Sequence, residues 1–104
     1  MREHMGEFEQ IVLLAVLRLA DGAYGVPIRK EIGDRTRRDV TIGALYSTLD
    51  RLETKGYLIS SLSDPTPERG GRSRRYFRVT AKGVRALESS RTAMNAMWEG
   101  LSET

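Results

Sequence analysis

The sequence predicts a mainly α fold with a small β-wing: three helices, a two-stranded ribbon and a closing helix. Three observations carry that prediction. Apolar residues recur at helical spacing over about 6–20, 41–55 and 80–101, a period of two replaces that spacing at 57–63 and 74–80, and a basic, turn-rich segment separates the two alternating stretches. A helix followed by a ribbon with arginines at its tip is the outline of a winged helix-turn-helix. There the helix enters a DNA groove and the ribbon lies beside the phosphate backbone.

The first five residues read as a loose arm, and a helix is expected over 6–20. Phe8, Ile11, Val12, Leu13, Leu14, Ala15, Val16, Leu17 and Leu19 leave it almost no polar face, and such a helix has to be covered on more than one side. In a domain this thin, one face is expected to cover the core and another, including Phe8, Val12 and Ala15, to meet a second subunit. Asp21-Gly22 ends the helix, with Gly22 suited to the left-handed position after its C-terminus. Gly25-Val26-Pro27 opens a second helix, where a proline in the first turn sacrifices no hydrogen bond. Ile28 and Ile32 face inward, Gly33-Asp34 closes the helix, and residues 36–39 form a polar connection.

Thr41 is a natural N-cap for the third helix. Ile42, Leu45, Leu49 and Leu52 form its inward stripe, leaving Gly43, Ala44, Tyr46, Ser47, Asp50 and Arg51 mostly outward. That outward set is small and hydrogen-bonding, as a helix needs in order to lie against base edges. Lys55-Gly56 stops the helix. Residues 57–63 then alternate, with Tyr57, Ile59 and Ser61 on one side and Leu58, Ser60 and Leu62 on the other. The connection from Asp64 through Pro65, Pro67 and Arg69 to Gly70-Gly71 is too long for a tight hairpin. Tyr76, Phe77 and Val79 supply β-propensity to the second strand. A last helix begins at Thr80 or Ala81, where Val84, Leu87, Met94, Trp98 and Leu101 make a stripe fit for half of a helix-helix dimer seam. The chain divides accordingly into a DNA-binding unit, 1–80, that includes the first helix, and a dimerisation helix, 81–104.

A chain of 104 residues buries only about 60 to 65% of its unfolded surface, so oligomerisation would help it. Its net charge of +3 attracts phosphate polymers or anionic membranes without choosing between them. Distribution chooses: Arg69, Arg72, Arg74, Arg75, Arg78, Lys82 and Arg85 face the single acid Glu68 across the wing, so the positive field sits there. With no cysteine there is no disulfide, thiolate metal site or thiol nucleophile. The longest apolar run, residues 11–17, falls far short of the roughly 18 residues that span a bilayer, and it follows two glutamates instead of a basic signal region. The expectation is a soluble cytoplasmic protein with no membrane contact and no cofactor. His4 stands without a second ligand, and no nucleophile, base and orienting group come together, so neither metal binding nor catalysis is expected. Gly70-Gly71-Arg72 lacks the Lys-Ser/Thr that would make it a nucleotide-phosphate loop. Asp50 and Glu53 are read as ion-pair partners for Arg51, Lys55 or a wing arginine, not as an acid-base pair.

Three segments, GAYGVPIRKEI at 22–32, TIGALYSTLDRLETKGYLI at 41–59 and GGRSRRYFRVTAKG at 70–83, resemble the signature of PadR-like transcriptional regulators. The similarity covers about residues 8–87, and the single helix after the wing is similar to the short branch of that family. The resemblance implies a homodimeric repressor on a pseudo-palindromic operator, with the first and last helices making the dimer. It further implies that Tyr24 reaches a phosphate, that Thr41, Gly43, Ala44, Tyr46 and Ser47 lie in the major groove with Arg51 on the backbone, and that Arg72 and Arg74 hold the neighbouring groove or its phosphates. Two tyrosines packed with their hydroxyls at the surface would be the plainer arrangement for Tyr24 and Tyr46. The seam expected from Phe8, Val12, Ala15, Leu87, Met94, Met97, Trp98 and Leu101 would place Trp98 beside its symmetry mate or against the partner's first helix. Paired tryptophans among flexible methionines would also suit a flat aromatic effector. The competing function is a winged-helix module that docks proteins without binding DNA.

Overall fold

The computed structural model describes residues 5–63 and 74–101. The chain folds as α1 (Glu7–Leu19), a 3-10 turn (Ala20–Gly22), α2 (Gly25–Thr36), α3 (Ile42–Thr54), β1 (Leu58–Leu62), β2 (Arg75–Val79) and α4 (Ala81–Trp98). The mainly helical architecture with an antiparallel two-stranded wing is therefore the one expected. Leu58 pairs with Val79, Ser60 with Phe77 and Leu62 with Arg75, which puts these residues on one face of the ribbon. The Phe77 N–H donates to the Ala23 carbonyl at 2.9 Å, so the segment before α2 satisfies the outer edge of β2 and fastens the wing to the helices.

One core explains the packing. Val12, Leu13, Ala15 and Val16 of α1, Ile28 and Ile32 of α2, and Leu45, Leu49 and Leu52 of α3 meet Tyr57, Leu58, Phe77 and Leu87. Each of the large aliphatic side chains contributes about 1.5 to 3 kcal/mol by leaving water. Local chemistry ends the elements. The Thr41 hydroxyl accepts from the Ala44 N–H at 3.1 Å, which puts the expected cap in place, and the Thr80 hydroxyl accepts from the Gly83 N–H at 3.0 Å and caps α4. Gly56, at φ 84°, closes α3 while the Tyr57 N–H returns to the Leu52 carbonyl.

Four details differ from the sequence-based expectation. The left-handed residue after α1 is Ala20, at φ 52°, not Gly22, because the chain tightens into the 3-10 turn first. The second helix runs on past Gly33 to Thr36 and ends on Arg37 at φ 63°, whose N–H bonds the Gly33 carbonyl. Ile42 is 44% exposed, since the first turn of α3 projects beyond the core. Val12, Ala15 and Leu87, expected at a subunit seam, are buried within the protomer itself. The apolar residues that remain open on α1 are Leu14 and Leu17, with Phe8 half-buried; beyond Leu87, Met94, Met97, Trp98 and Leu101 stand exposed.

Candidate nucleic-acid interface

Burial of Leu45, Thr48, Leu49 and Leu52 turns the opposite side of α3 outward. Thr41, Gly43, Ala44 and Ser47 are all exposed there, so four of the expected groove residues share one open face. Tyr46 is half-buried at its margin. A Cβ placed on Gly25 would come within 2.3 Å of the Tyr46 hydroxyl oxygen, so glycine at the start of α2 lets the hydroxyl end of the ring approach the backbone this closely. The second helix is thereby held against the first turns of α3, and Tyr46 presents its hydroxyl at the junction.

Beside that junction lies an aromatic and cationic stack. Tyr24, the N-cap residue of α2, meets Tyr76 of β2 edge to face, with ring centroids 5.3 Å apart, and the Arg74 guanidinium sits 4.6 Å from the Tyr24 centroid. The helix-turn-helix and the wing are joined by this contact, and Arg74 stands exposed at the root of the wing. Arg78, Arg85 and Arg91 have no carboxylate partner among the described residues. Arg72, Arg69 and the Gly70-Gly71 turn lie outside the described residues, as does His4.

Two arginines serve the frame. Arg75, one residue beyond Arg74, donates to Asp50 at 3.1 Å and to Glu53 on α3, and its Nε reaches the Ser60 hydroxyl at 3.3 Å. The Ser60 hydroxyl and the Arg75 guanidinium hold the Glu53 carboxyl below its usual range despite partial burial. The Asp50 and Glu53 carboxylates thus pair with a wing arginine, which is the structural assignment expected of them. Arg51, by contrast, turns away from the groove residues: its Nε donates to Glu9 at 3.1 Å and its Nη2 to the Thr48 hydroxyl at 3.3 Å. Lys55 joins it on Glu9 at 3.0 Å. Burial opposes the charge on Glu9, but the Gly6 N–H, Lys55 and Arg51 outweigh it and hold the carboxyl below its ordinary range. This buried carboxylate, linking α1 to α3, was invisible in the sequence, where Glu9 reads as an ordinary first-turn acid.

The class that this arrangement defines is a winged helix-turn-helix: a small-residue helix face open to a groove, with a cation-bearing ribbon beside it. The sequence model of the transcriptional regulator PadR-like family matches residues 13–89, and the chain belongs to that family. Its members are transcriptional regulators and not enzymes, and membership implies regulation through DNA binding. Solved structures agree. A PadR family transcription regulator from Clostridium difficile shares 27% identity over 86% of this chain and 90% of that one, with a TM-score of 0.71. A PadR family regulator from Eggerthella lenta shares 26% over 91% and 82%, with a TM-score of 0.70, and a transcriptional regulator from Clostridium thermocellum shares 26% over 88% and 85%, with a TM-score of 0.71. No curated protein matches the chain. Among the described residues no helix is long and apolar enough to cross a membrane.

Proposed function

We propose that this chain is a homodimeric cytoplasmic repressor that binds a pseudo-palindromic operator. Residues 1–80 carry the DNA reader and 81–104 the dimer helix. The observation that carries the reading is the joint exposure of Thr41, Gly43, Ala44 and Ser47 on α3 beside the Tyr24, Tyr76 and Arg74 stack. Side chains this small let the helix backbone approach base edges with the Tyr46 hydroxyl at the margin of the groove, while Tyr24 and Arg74 reach phosphates on either flank. Arg72 takes a phosphate from the wing. Arg51 is left to its partner Glu9. Dimerisation covers the exposed Leu14 and Leu17 of one copy with Met94, Met97, Trp98 and Leu101 of the other, and two-fold symmetry sets half-sites about one helical turn apart.

Enrichment of bound sequences from random duplexes tests this directly. A two-fold symmetric site, bound with an affinity that falls steeply between two salt concentrations, is expected. Dimerisation without enrichment of any duplex would instead favour a protein-docking module. The same tryptophans, Trp98 and its symmetry mate, form the floor of a site for a planar aromatic effector. Its test is quenching of Trp98 fluorescence by such compounds together with release of the operator; unchanged operator affinity at saturation refutes that part.

A further inference from the structure

Two aliphatic side chains stand open at the end of the helix pair that faces DNA. Ile42, the first residue of α3, is 44% exposed, and Val26, in the first turn of α2, is 67% exposed. Both line one shallow hollow of about 340 Å³, whose rim carries Arg29, Lys30 and Arg38, the last paired with Glu7 at 2.7 Å. The acids there, Asp34 and Asp39, lie opposite Lys30 at 2.8 Å and Arg29 at 3.8 Å. The close packing of Gly25 on Tyr46 keeps this end of α2 against the first turns of α3, where Ile42 is the first helical residue after the Thr41 cap.

Hydrogen bonding cannot supply much base discrimination from this face. The Thr41 hydroxyl oxygen accepts from the Ala44 N–H and has only its own O–H left to donate, Gly43 and Ala44 have no polar side-chain atoms, and Ser47 and Tyr46 offer one hydroxyl each. The major groove carries one apolar group that distinguishes a base, the C5-methyl of thymine. Residues at the N-terminus of a recognition helix are those that meet base edges. We propose that Ile42, with Val26 beside it, is a specificity-determining residue that reads thymine through its methyl group in each half-site. This rests on the DNA-binding reading above and adds which chemical group is read.

The test uses the full chain and the duplex it enriches from a random pool. Each thymine is replaced in turn by deoxyuridine, which keeps base pairing and removes the methyl. The expected result is a loss of about fourfold for each methyl contacted, or about fifteenfold for the symmetric pair, confined to one or two thymines per half-site. The Ile42→Ala protein is expected to bind the thymine and deoxyuridine duplexes with the same reduced affinity. Equal binding of both duplexes by the wild type, or a loss spread evenly over every thymine, overturns the inference, the second because it reports duplex shape. So does a half-site without thymine, or an Ile42→Ala protein that keeps the methyl preference. Failure to enrich any duplex overturns the DNA-binding reading itself, and the two failures are thereby distinguished. The deoxyuridine scan on the wild type decides the question even if the variant folds poorly.

Discussion

Neighbouring arginines of the wing are expected to fail in opposite ways when removed. Arg75 is half-buried between Asp50 and Glu53 and lies 4.9 Å from the Phe77 ring centroid. The Asp50 pair is largely solvated and is worth a few tenths of a kcal/mol, the better-covered Glu53 pair about 1 kcal/mol, and the ring contact about 0.5. Arg75→Met therefore costs about 1 to 2 kcal/mol, which lowers the melting temperature of a domain this size by roughly 4 to 15 °C. It also leaves two uncompensated carboxylates on α3 beside the proposed DNA-binding face, so operator affinity is expected to fall. Because Arg75 neutralises no phosphate, the slope of log K against log salt stays the same. Arg74→Ala does the reverse: it changes stability by about 0.5 kcal/mol or less and reduces the slope by about 0.9 for each protomer. Thermal melting by circular dichroism and mobility shifts over a salt series measure both quantities. A shallower slope for Arg75→Met with an unchanged melting temperature would refute the division of labour between the two side chains.

Glu9 predicts a pH effect. Its folded pKa lies below its unfolded value, so its contribution is present above about pH 4.3 and is lost as pH falls through the folded value. Glu9→Gln should lower stability by about 1 to 3 kcal/mol at pH 7 and flatten the acid limb of a melting series taken at fixed protein concentration; an unchanged acid limb would contradict the pairing. Gly25→Ala forces the Tyr46 ring aside and should reduce operator binding several-fold, and on a Tyr46→Ala background the same change should cost little more, a coupling that a double-mutant cycle reads. Gly83→Ala would bring a methyl within 2.4 Å of the Tyr57 carbonyl and 2.7 Å of Val79, between α4 and the wing. A loss of about 3 kcal/mol or more in chemical denaturation is expected, and near-wild-type stability would show that α4 can shift freely.

Much of the fold was legible because local rules decide it. The Thr41 and Thr80 caps, the Gly56 stop and the inward Ile28, Ile32, Leu45, Leu49 and Leu52 all follow from cap chemistry and helical period. The open face of α3 was legible for the same reason: once the stripe is placed, the residues opposite it are too. Neighbours from other elements decided the remainder. Nothing in the spacing of Ile42 tells that α3 begins beyond the edge of the core, and nothing in adjacent Arg74 and Arg75 tells which one α3 will hold. Wing residues 64–73, Arg72 among them, lie outside the described residues.

By itself the sequence determined which segments are helix and strand, the order in which they follow, and those boundaries that local chemistry fixes, such as the Thr41 cap and the Gly56 stop. Those outcomes depend on interactions within a few residues along the chain. Only the tertiary structure decided that Val12, Ala15 and Leu87 belong to the protomer core, that Glu9 gathers Arg51 and Lys55, and that Ile42 and Val26 line one hollow at the surface. Burial and charge pairing are set by what each element packs against, and side chains far apart in sequence come into contact only when the elements close on one another.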